Sequence, residues 1–145
     1  LDFVEGSFTD LPAGVASKKF SHIFSQVALV HVHKLLPQIL QQAQSVLADG
    51  GIMVINDYLG SDVGVSNETR EHVYKRLHFD QIFGHKKWRH VVEDSNLSLL
   101  YYENLDAHMA EAYSQAADTA ERFGIDSADG TPLADNYRGT VRAIE

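Results

Sequence analysis

The sequence predicts an α/β fold in which a mainly parallel sheet is flanked by helices. Three features of one stretch predict it: a strand at Phe20–Phe24, a long amphipathic helix after Gln26, and a second strand at Ile52–Tyr58. Gly50 and Gly51 separate the helix from the second strand. A strand, a crossover helix and a returning strand form a βαβ unit, which normally builds a parallel sheet with ligand sites at the carboxyl ends of its strands.

The helix between these strands has a single apolar face. Its apolar residues recur at the three- and four-residue spacing of an α-helix. They are Leu36, Ile39, Leu40, Ala43, Val46 and Leu47. Pro37 lies near the helix start, and Asp49-Gly50-Gly51 is expected to end the helix.

The segment before this unit is predicted to begin with a short strand at Leu1–Val4, followed by a turn at Glu5–Phe8. Asp10–Pro12 is expected to start a short helix or turn, because proline is favoured at a first helical position. The strand-like start at Leu1 and the apolar pattern that stops at Glu145 suggest truncation of something larger. The chain is therefore expected to be one incomplete domain over residues 1–145.

After the second strand, residues 60–67 are rich in Gly, Ser, Asp and Asn and are predicted to form a loop. The later predicted elements are helices at Glu68–Phe83, Lys86–Asn96 and Ala107–Phe123, a strand at Leu97–Glu103 and a turn-rich loop at Ser127–Asn136. Gly124 is expected to cap the helix that ends at Phe123.

Composition limits the classes of partner. The 145 residues, of which 44% are hydrophobic, can bury one core. A formal charge of −8 argues against a nucleic-acid or anionic-membrane partner. There is no cysteine, so neither disulfides nor thiol chemistry are expected. No apolar run approaches the roughly 20 residues that cross a bilayer, and a cytoplasmic protein is the expectation.

The turn after the first predicted strand carries three candidate binding residues. Gly6 would let the backbone approach a flat ligand, Phe8 offers an apolar face, and Ser7 could bond to a base edge. The alternative is an ordinary strand-to-helix turn, whose composition is the same.

A second group of candidates follows the Phe20–Phe24 strand. Ser25 and Gln26 come directly after it, with His31 a few residues later, at the position where open α/β sheets bind ligands. The alternative is a solvated loop in which His31 caps a helix or packs.

Other site patterns are missing. His31-x-His33 is a weak metal pair, since no carboxylate or cysteine follows at ligand spacing. The glycines form neither G-x-G-x-x-G nor the P-loop pattern, and there is no G-x-S-x-G elbow. A nucleotide or hydrolase site complete within these residues is not expected.

With these residues in view, the chain resembles the later part of a class I S-adenosylmethionine-dependent methyltransferase. Phe3–Pro12 resembles the family's third strand and the adenine-side turn, and Phe20–Gln26 resembles its fourth strand. Val46–Asp57 resembles the L-x-x-G-G helix end and the fifth strand. Leu99–Met109, continuing to Tyr113, is similar to the glycine, sarcosine and dimethylglycine N-methyltransferases of betaine synthesis.

The resemblance implies a partial Rossmann-like methyltransferase fold. The chain would supply strands three, four, five and six of the family and lack strands one, two and seven. The family's glycine-rich cofactor turn and its ribose-binding acidic residue would both precede Leu1. Val27 departs from the family, because related enzymes commonly have a polar or acidic residue at that loop position.

The resemblance also implies S-adenosylmethionine as cofactor and a small amine, similar to sarcosine or dimethylglycine, as substrate. The unprotonated amine would attack the sulfonium methyl group in line, without a metal or a covalent intermediate. Gly6, Ser7 and Phe8 would contact the adenine side, and Ser25 and Gln26 the methionine side.

His31, His108 and Tyr113 are the candidates for the acceptor side. For Tyr113 the alternative is a core residue, since it lies on the apolar face of the Ala107–Phe123 helix. No catalytic residue is assigned.

Two other classes of function stay open. The chain could be a non-catalytic α/β module that associates with another chain, or a metal-dependent enzyme that uses the histidines. Without strands one and two, the strand at Phe20–Phe24 would have an open edge, which is a template for pairing. We therefore expect either Leu1–Val4 to pair directly with that strand or two chains to form a homodimer through the sheet edge.

Overall fold

The computed structural model describes residues 2–144, which form an α/β structure with a two-stranded parallel sheet and flanking helices. The chain divides into two compact units, residues 1–62 with 82–100 and residues 63–81 with 101–145. In chain order the elements are α1 (Ala13–Ala16), β1 (Phe20–Gln26), a 3₁₀ helix (Leu29–Leu35), α2 (Leu36–Val46), β2 (Leu47–Asn56), α3 (Asn67–Thr69), a π-helical segment (Arg70–Lys75), α4 (His85–Glu93), α5 (Asp106–Phe123) and α6 (Leu133–Ile144).

The first unit contains the predicted βαβ arrangement. Strands β1 and β2 pair in parallel, with Phe24 opposite Val54 and Gln26 opposite Asn56. The 3₁₀ helix and α2 connect them. The prediction of a parallel strand pair joined by a helix is confirmed.

The predicted apolar face of α2 is the centre of the first unit's core. All six of its residues are buried, five on α2 and Leu47 at the start of β2. The buried cluster consists of Leu29, Leu36, Ile39, Leu40, Phe83 and Val91. Met53 and Ile55, from the inner face of β2, pack against it. Because burial of each large aliphatic side chain contributes about 1.5–3 kcal/mol, apolar packing dominates the stability of this unit.

The predicted end of this helix is wrong by three residues. Helix α2 ends at Val46, and β2 already includes Asp49, Gly50 and Gly51. Gly50 has φ +71°, and the strand register is irregular between Phe20 and His22. Gly50 therefore supplies the left-handed residue at an irregularity in the strand, and neither Gly50 nor Gly51 caps the helix.

Two predicted strands do not form. Residues 2–4 are irregular, with Phe3 90% exposed, and Leu1 lies outside the described residues. The segment predicted as a strand at Leu97–Glu103 is also irregular, and Leu100 is 79% exposed. A β-favouring composition makes a strand only where a neighbouring backbone pairs with it, and within residues 2–144 no such partner lies beside either segment. The predicted pairing of Leu1–Val4 with β1 is therefore not observed.

The second unit contains the best-predicted long helix. Helix α5 begins one residue before the predicted start and ends at Phe123 as predicted. Gly124 has φ +60° and donates its amide to the last turn, which confirms the predicted glycine cap. The predicted loop at Ser127–Asn136 is wrong at its end, because α6 begins at Leu133. Helices α5 and α6 meet through Ala117, Ala120 and Ala134.

The predicted helix at Glu68–Phe83 is shorter than expected. It consists of α3 and the π-helical segment and stops at Lys75. His78 has φ +56°, a left-handed conformation that a helix cannot continue through. The helix predicted at Lys86–Asn96 is present as α4, which ends three residues earlier than expected.

Candidate functional site

The carboxyl ends of β1 and β2 meet at one edge of the sheet. The parallel register sets Ser25 opposite Ile55 and Gln26 opposite Asn56. The amide of Val27, the next residue after β1, donates to the carbonyl of Asn56 at 2.8 Å. The polar residues Gln26 and Asn56, which end the two strands, thus lie opposite each other at the position where parallel sheets bind ligands.

Val27 leaves the strand in an unusual backbone conformation. Its φ is +49°, in the left-handed region that a β-branched residue rarely occupies. Such a conformation costs on the order of 1–3 kcal/mol and persists only where the surrounding structure holds it. The strand therefore ends in a sharp turn toward the 3₁₀ helix.

Asp57 follows β2 and bonds to the segment that follows β1. Its Oδ2 accepts the amide of Val30 at 2.9 Å, and its Oδ1 accepts the amide of Tyr58 at 2.9 Å. Burial raises the pKa of the Asp57 carboxyl above its usual range, while the bonded amides and the nearby His31 act in the opposite direction. His31 itself is exposed. Sequence reasoning recognised Asp57 only as the end of a strand.

Ser25 and Gln26, the two predicted methionine-side residues, have different environments. Ser25 is 4% exposed and its hydroxyl has no hydrogen-bond partner among residues 2–144, whereas Gln26 is exposed at the strand end. Alternation along the strand is the reason, since successive side chains point to opposite faces. Of the two side chains, only Gln26 is accessible to a ligand in this conformation.

His33, in the 3₁₀ helix, is buried. Its exposed fraction is 2%, and its Nδ1 accepts the amide of Phe83 at 2.8 Å. The ring lies 5.0 Å from Phe83 and edge-on to Trp88 at 5.6 Å. Burial lowers the pKa of His33, which favours the neutral ring with its proton on Nε2. His33 is therefore a packed core residue, and within residues 2–144 no group of three or more possible metal ligands gathers.

The turn with the adenine-side candidates is closed by its own contacts. The Ser7 hydroxyl lies 2.9 Å from that of Thr9 and accepts the Thr9 amide at 3.2 Å. A Cβ at Gly6 would come within 2.5 Å of the Pro12 ring, so the glycine permits this close approach. Phe8 is 41% exposed.

In the second unit, Tyr113 belongs to a group around Arg76. The Arg76 guanidinium carbon lies 5.4 Å from the ring centre of Tyr113 and 5.3 Å from that of Tyr137. Arg76 donates through Nη2 to the Tyr113 hydroxyl at 3.3 Å and to Thr140 Oγ1 at 3.1 Å. Its Nε donates to the carbonyl of His72 at 2.9 Å.

Every one of these Arg76 partners is neutral, and among residues 2–144 none of the contacts of Arg76 involves the two N–H groups of Nη1. An arginine that packs beside two aromatic rings, with the donors of Nη1 outside these contacts, suits a planar anion such as a carboxylate. Sequence reasoning missed Arg76, although its position three residues after the buried Val73 places it near the inner face of its helical segment. His108, the other acceptor-side candidate, is exposed on α5 and does not belong to this group.

No family model, curated protein or solved structure matches the chain. Over residues 2–144, none of the helices has the length and apolarity needed to cross a bilayer.

Proposed function

We propose that these residues are part of an S-adenosylmethionine-dependent methyltransferase that acts on a small amine with a carboxylate, similar to sarcosine or dimethylglycine. The observation that carries the proposal is the parallel βαβ arrangement, whose strands end at Gln26 and Asn56 and are followed by the left-handed Val27 and by Asp57. This arrangement is compatible with part of a Rossmann-like methyltransferase fold. The proposed enzyme is cytoplasmic and has neither a nucleic-acid nor a membrane partner, as the charge of −8 favours.

The proposed cofactor contacts lie in the first unit. Gln26 and the backbone after it would contact the methionine part of the cofactor. Ser25, which is buried, would not touch the cofactor but would stabilise the end of β1. Gly6, Ser7 and Phe8 would contact the adenine, with the exposed ring of Phe8 against the base.

The proposed acceptor contact lies in the second unit. Arg76 would bind the carboxylate of the amine through the unused Nη1 donors, beside Tyr113. The hydrogen bonds of an arginine–carboxylate pair are charge-assisted and have a fixed geometry. Such a pair suits an acceptor that has to be held in one orientation. His31 and His108 remain candidates for this side on the resemblance alone.

The reaction is a direct displacement. The lone pair of the amine nitrogen forms a bond to the methyl carbon as the carbon–sulfur bond breaks, which gives S-adenosylhomocysteine and a methylated ammonium group. For a secondary amine the extra proton then leaves to water. Holding donor and acceptor in line is the main contribution of the protein to such a step.

Titration followed by NMR tests the proposal and detects weak binding by a partial site. With S-adenosylhomocysteine, we expect the amides of residues 6–8 and 26–30 to shift. With dimethylglycine, we expect shifts around Arg76 and Tyr113 that Arg76→Gln abolishes and Arg76→Lys, which keeps the charge, weakens. Absence of shifts with S-adenosylhomocysteine at millimolar concentration would overturn the cofactor assignment. Shifts with dimethylglycine that persist in Arg76→Gln would overturn the acceptor assignment.

A non-catalytic interaction module is the second candidate, favoured by the outer face of the sheet. Phe24 is 65% exposed, Val54 opposite it 48%, and Ile52 41%. Parallel sheets are normally covered on both faces, so this face suits association with another chain. Light scattering tests association through this face: Phe24→Ser should shift a dimer toward monomer, and a wild-type chain that stays monomeric at high concentration contradicts it.

A further inference from the structure

The segment between β1 and the 3₁₀ helix forms hydrogen bonds with the last residue of β2 and with the residue that follows it. The amide of Val27 bonds to the carbonyl of Asn56, and the amide of Val30 bonds to the carboxylate of Asp57. The Val30 bond spans 27 residues of sequence. Asp57 therefore connects the carboxyl ends of both strands with a single side chain.

The sequence of this segment contributes little to stabilising its backbone conformation. Val27 is left-handed, and the 3₁₀ helix that begins at Leu29 has no side-chain cap from Ala28, the residue that precedes it. The energy of the strained backbone has to be offset by contacts from elsewhere. Asp57 supplies one such contact, because its carboxylate accepts the amide of Val30. Amide bonds to a carboxylate are stronger than bonds to a neutral acceptor.

We infer that Asp57 is a positioning residue, which holds Val27–Val30 in the conformation that receives the methionine part of the cofactor. The inference rests on the proposed function for the cofactor, but the geometry of the segment stands without it. Asp57 would touch no reacting atom and would act through the backbone of the segment.

Asp62 provides a matched control within the same unit. Its carboxylate accepts the amide of Lys86 at 3.1 and 3.2 Å, at the first turn of α4. Asp57 and Asp62 are thus both carboxylates that bond to backbone amides near a helix start, but only Asp57 binds the segment after β1. Replacing either by asparagine removes the charge and exchanges one acceptor oxygen for an NH₂ group.

The test compares Asp57→Asn, Asp57→Ala and Asp62→Asn by NMR titration with S-adenosylhomocysteine and by amide hydrogen exchange. For Asp57→Asn we expect the dissociation constant to rise about tenfold, and for Asp57→Ala more, as loss of a charged hydrogen bond predicts. Exchange at Leu29 and Val30 should accelerate by a similar factor. For Asp62→Asn we expect a dissociation constant within about twofold of the wild type and unchanged exchange at Leu29 and Val30.

Several outcomes decide the inference. Equal dissociation constants for wild type and Asp57→Asn, or equal weakening by Asp57→Asn and Asp62→Asn, would overturn the positioning role. Unchanged exchange at Leu29 and Val30 in Asp57→Ala would overturn it irrespective of the cofactor. If the wild type does not bind S-adenosylhomocysteine, the proposed function fails and the cofactor part of the inference with it, while the exchange rates still decide whether Asp57 holds the segment.

Discussion

The two units of this chain are stabilised by different means. The first has a cluster of aliphatic side chains around α2, and the buried polar atoms His33 Nε2, Trp88 Nε1 and Ser25 Oγ lack partners there. In the second unit the helix contact is made by small alanines, and Arg76 joins three helical elements through neutral polar groups. We therefore expect the stability of the first unit to depend most on the volume of its buried side chains. The stability of the second unit should depend most on one cation, Arg76.

The largest effect is expected from Leu36→Ala in the first unit. Leu36 is completely buried, and its truncation leaves a cavity that costs about 3 kcal/mol. Urea unfolding followed by the fluorescence of Trp88, the single tryptophan, reports on this unit. Leu35→Ala is the control, because Leu35 is 44% exposed and its loss should cost under about 0.5 kcal/mol. Similar costs for both variants would contradict a core centred on α2.

A smaller effect is expected from Arg76→Gln in the second unit. The change removes hydrogen bonds to Tyr113, Thr140 and His72 together with both ring contacts, at a cost of about 2 kcal/mol. Amide exchange along α5 and α6 measures this loss. Arg138→Gln serves as the comparison, because Arg138 forms an exposed ion pair with Glu121 that is worth under about 1 kcal/mol. If the two arginines prove equivalent, Arg76 is not the centre of this unit.

The smallest effect is a pH dependence of the first unit that comes from His33. Burial lowers the pKa of folded His33 below its ordinary value near 6.5, so the unfolded chain binds the proton first as pH falls. The His33 contribution to stability is therefore complete above about pH 6.5 and is lost as pH falls toward the lowered pKa. Unfolding free energies between pH 5 and 8 measure it.

His33→Gln is the control for this dependence, because its amide oxygen can still accept the Phe83 amide. The difference in unfolding free energy between wild type and His33→Gln should shrink or reverse as pH falls. A difference that stays constant across the range would show that His33 does not titrate as a buried neutral group.

Much of the fold could be predicted, because the spacing of apolar residues indicates which side of a helix or strand is buried. The face of α2 at Leu36, Ile39 and Leu40 is buried as its spacing predicts, and α5 ends at Gly124, where only a left-handed residue completes the helix. The parallel pairing of β1 and β2 followed from the length of the connection between them. The parallel register brings Gln26 and Asn56 to the same edge of the sheet.

The candidate site was less predictable, because its contacts join residues that are distant in sequence. Nothing in the pattern around Asp57 indicates a bond to Val30, and nothing around Arg76 indicates Tyr113 and Thr140. The burial of Ser25 follows from strand alternation, but only once the inner face is known.

By itself the sequence determined the α/β alternation, the buried face of α2 and the end of α5, because these depend on spacing and on backbone preferences of single residues. Only the tertiary structure decided that Leu97–Glu103 is irregular, that His78 interrupts a helix and that Asp57 links two strand ends. The physical reason is that a strand needs a neighbouring backbone to pair with, and a buried polar group needs a partner. In both cases the partner is brought close only when the chain folds, so the local sequence pattern does not indicate it.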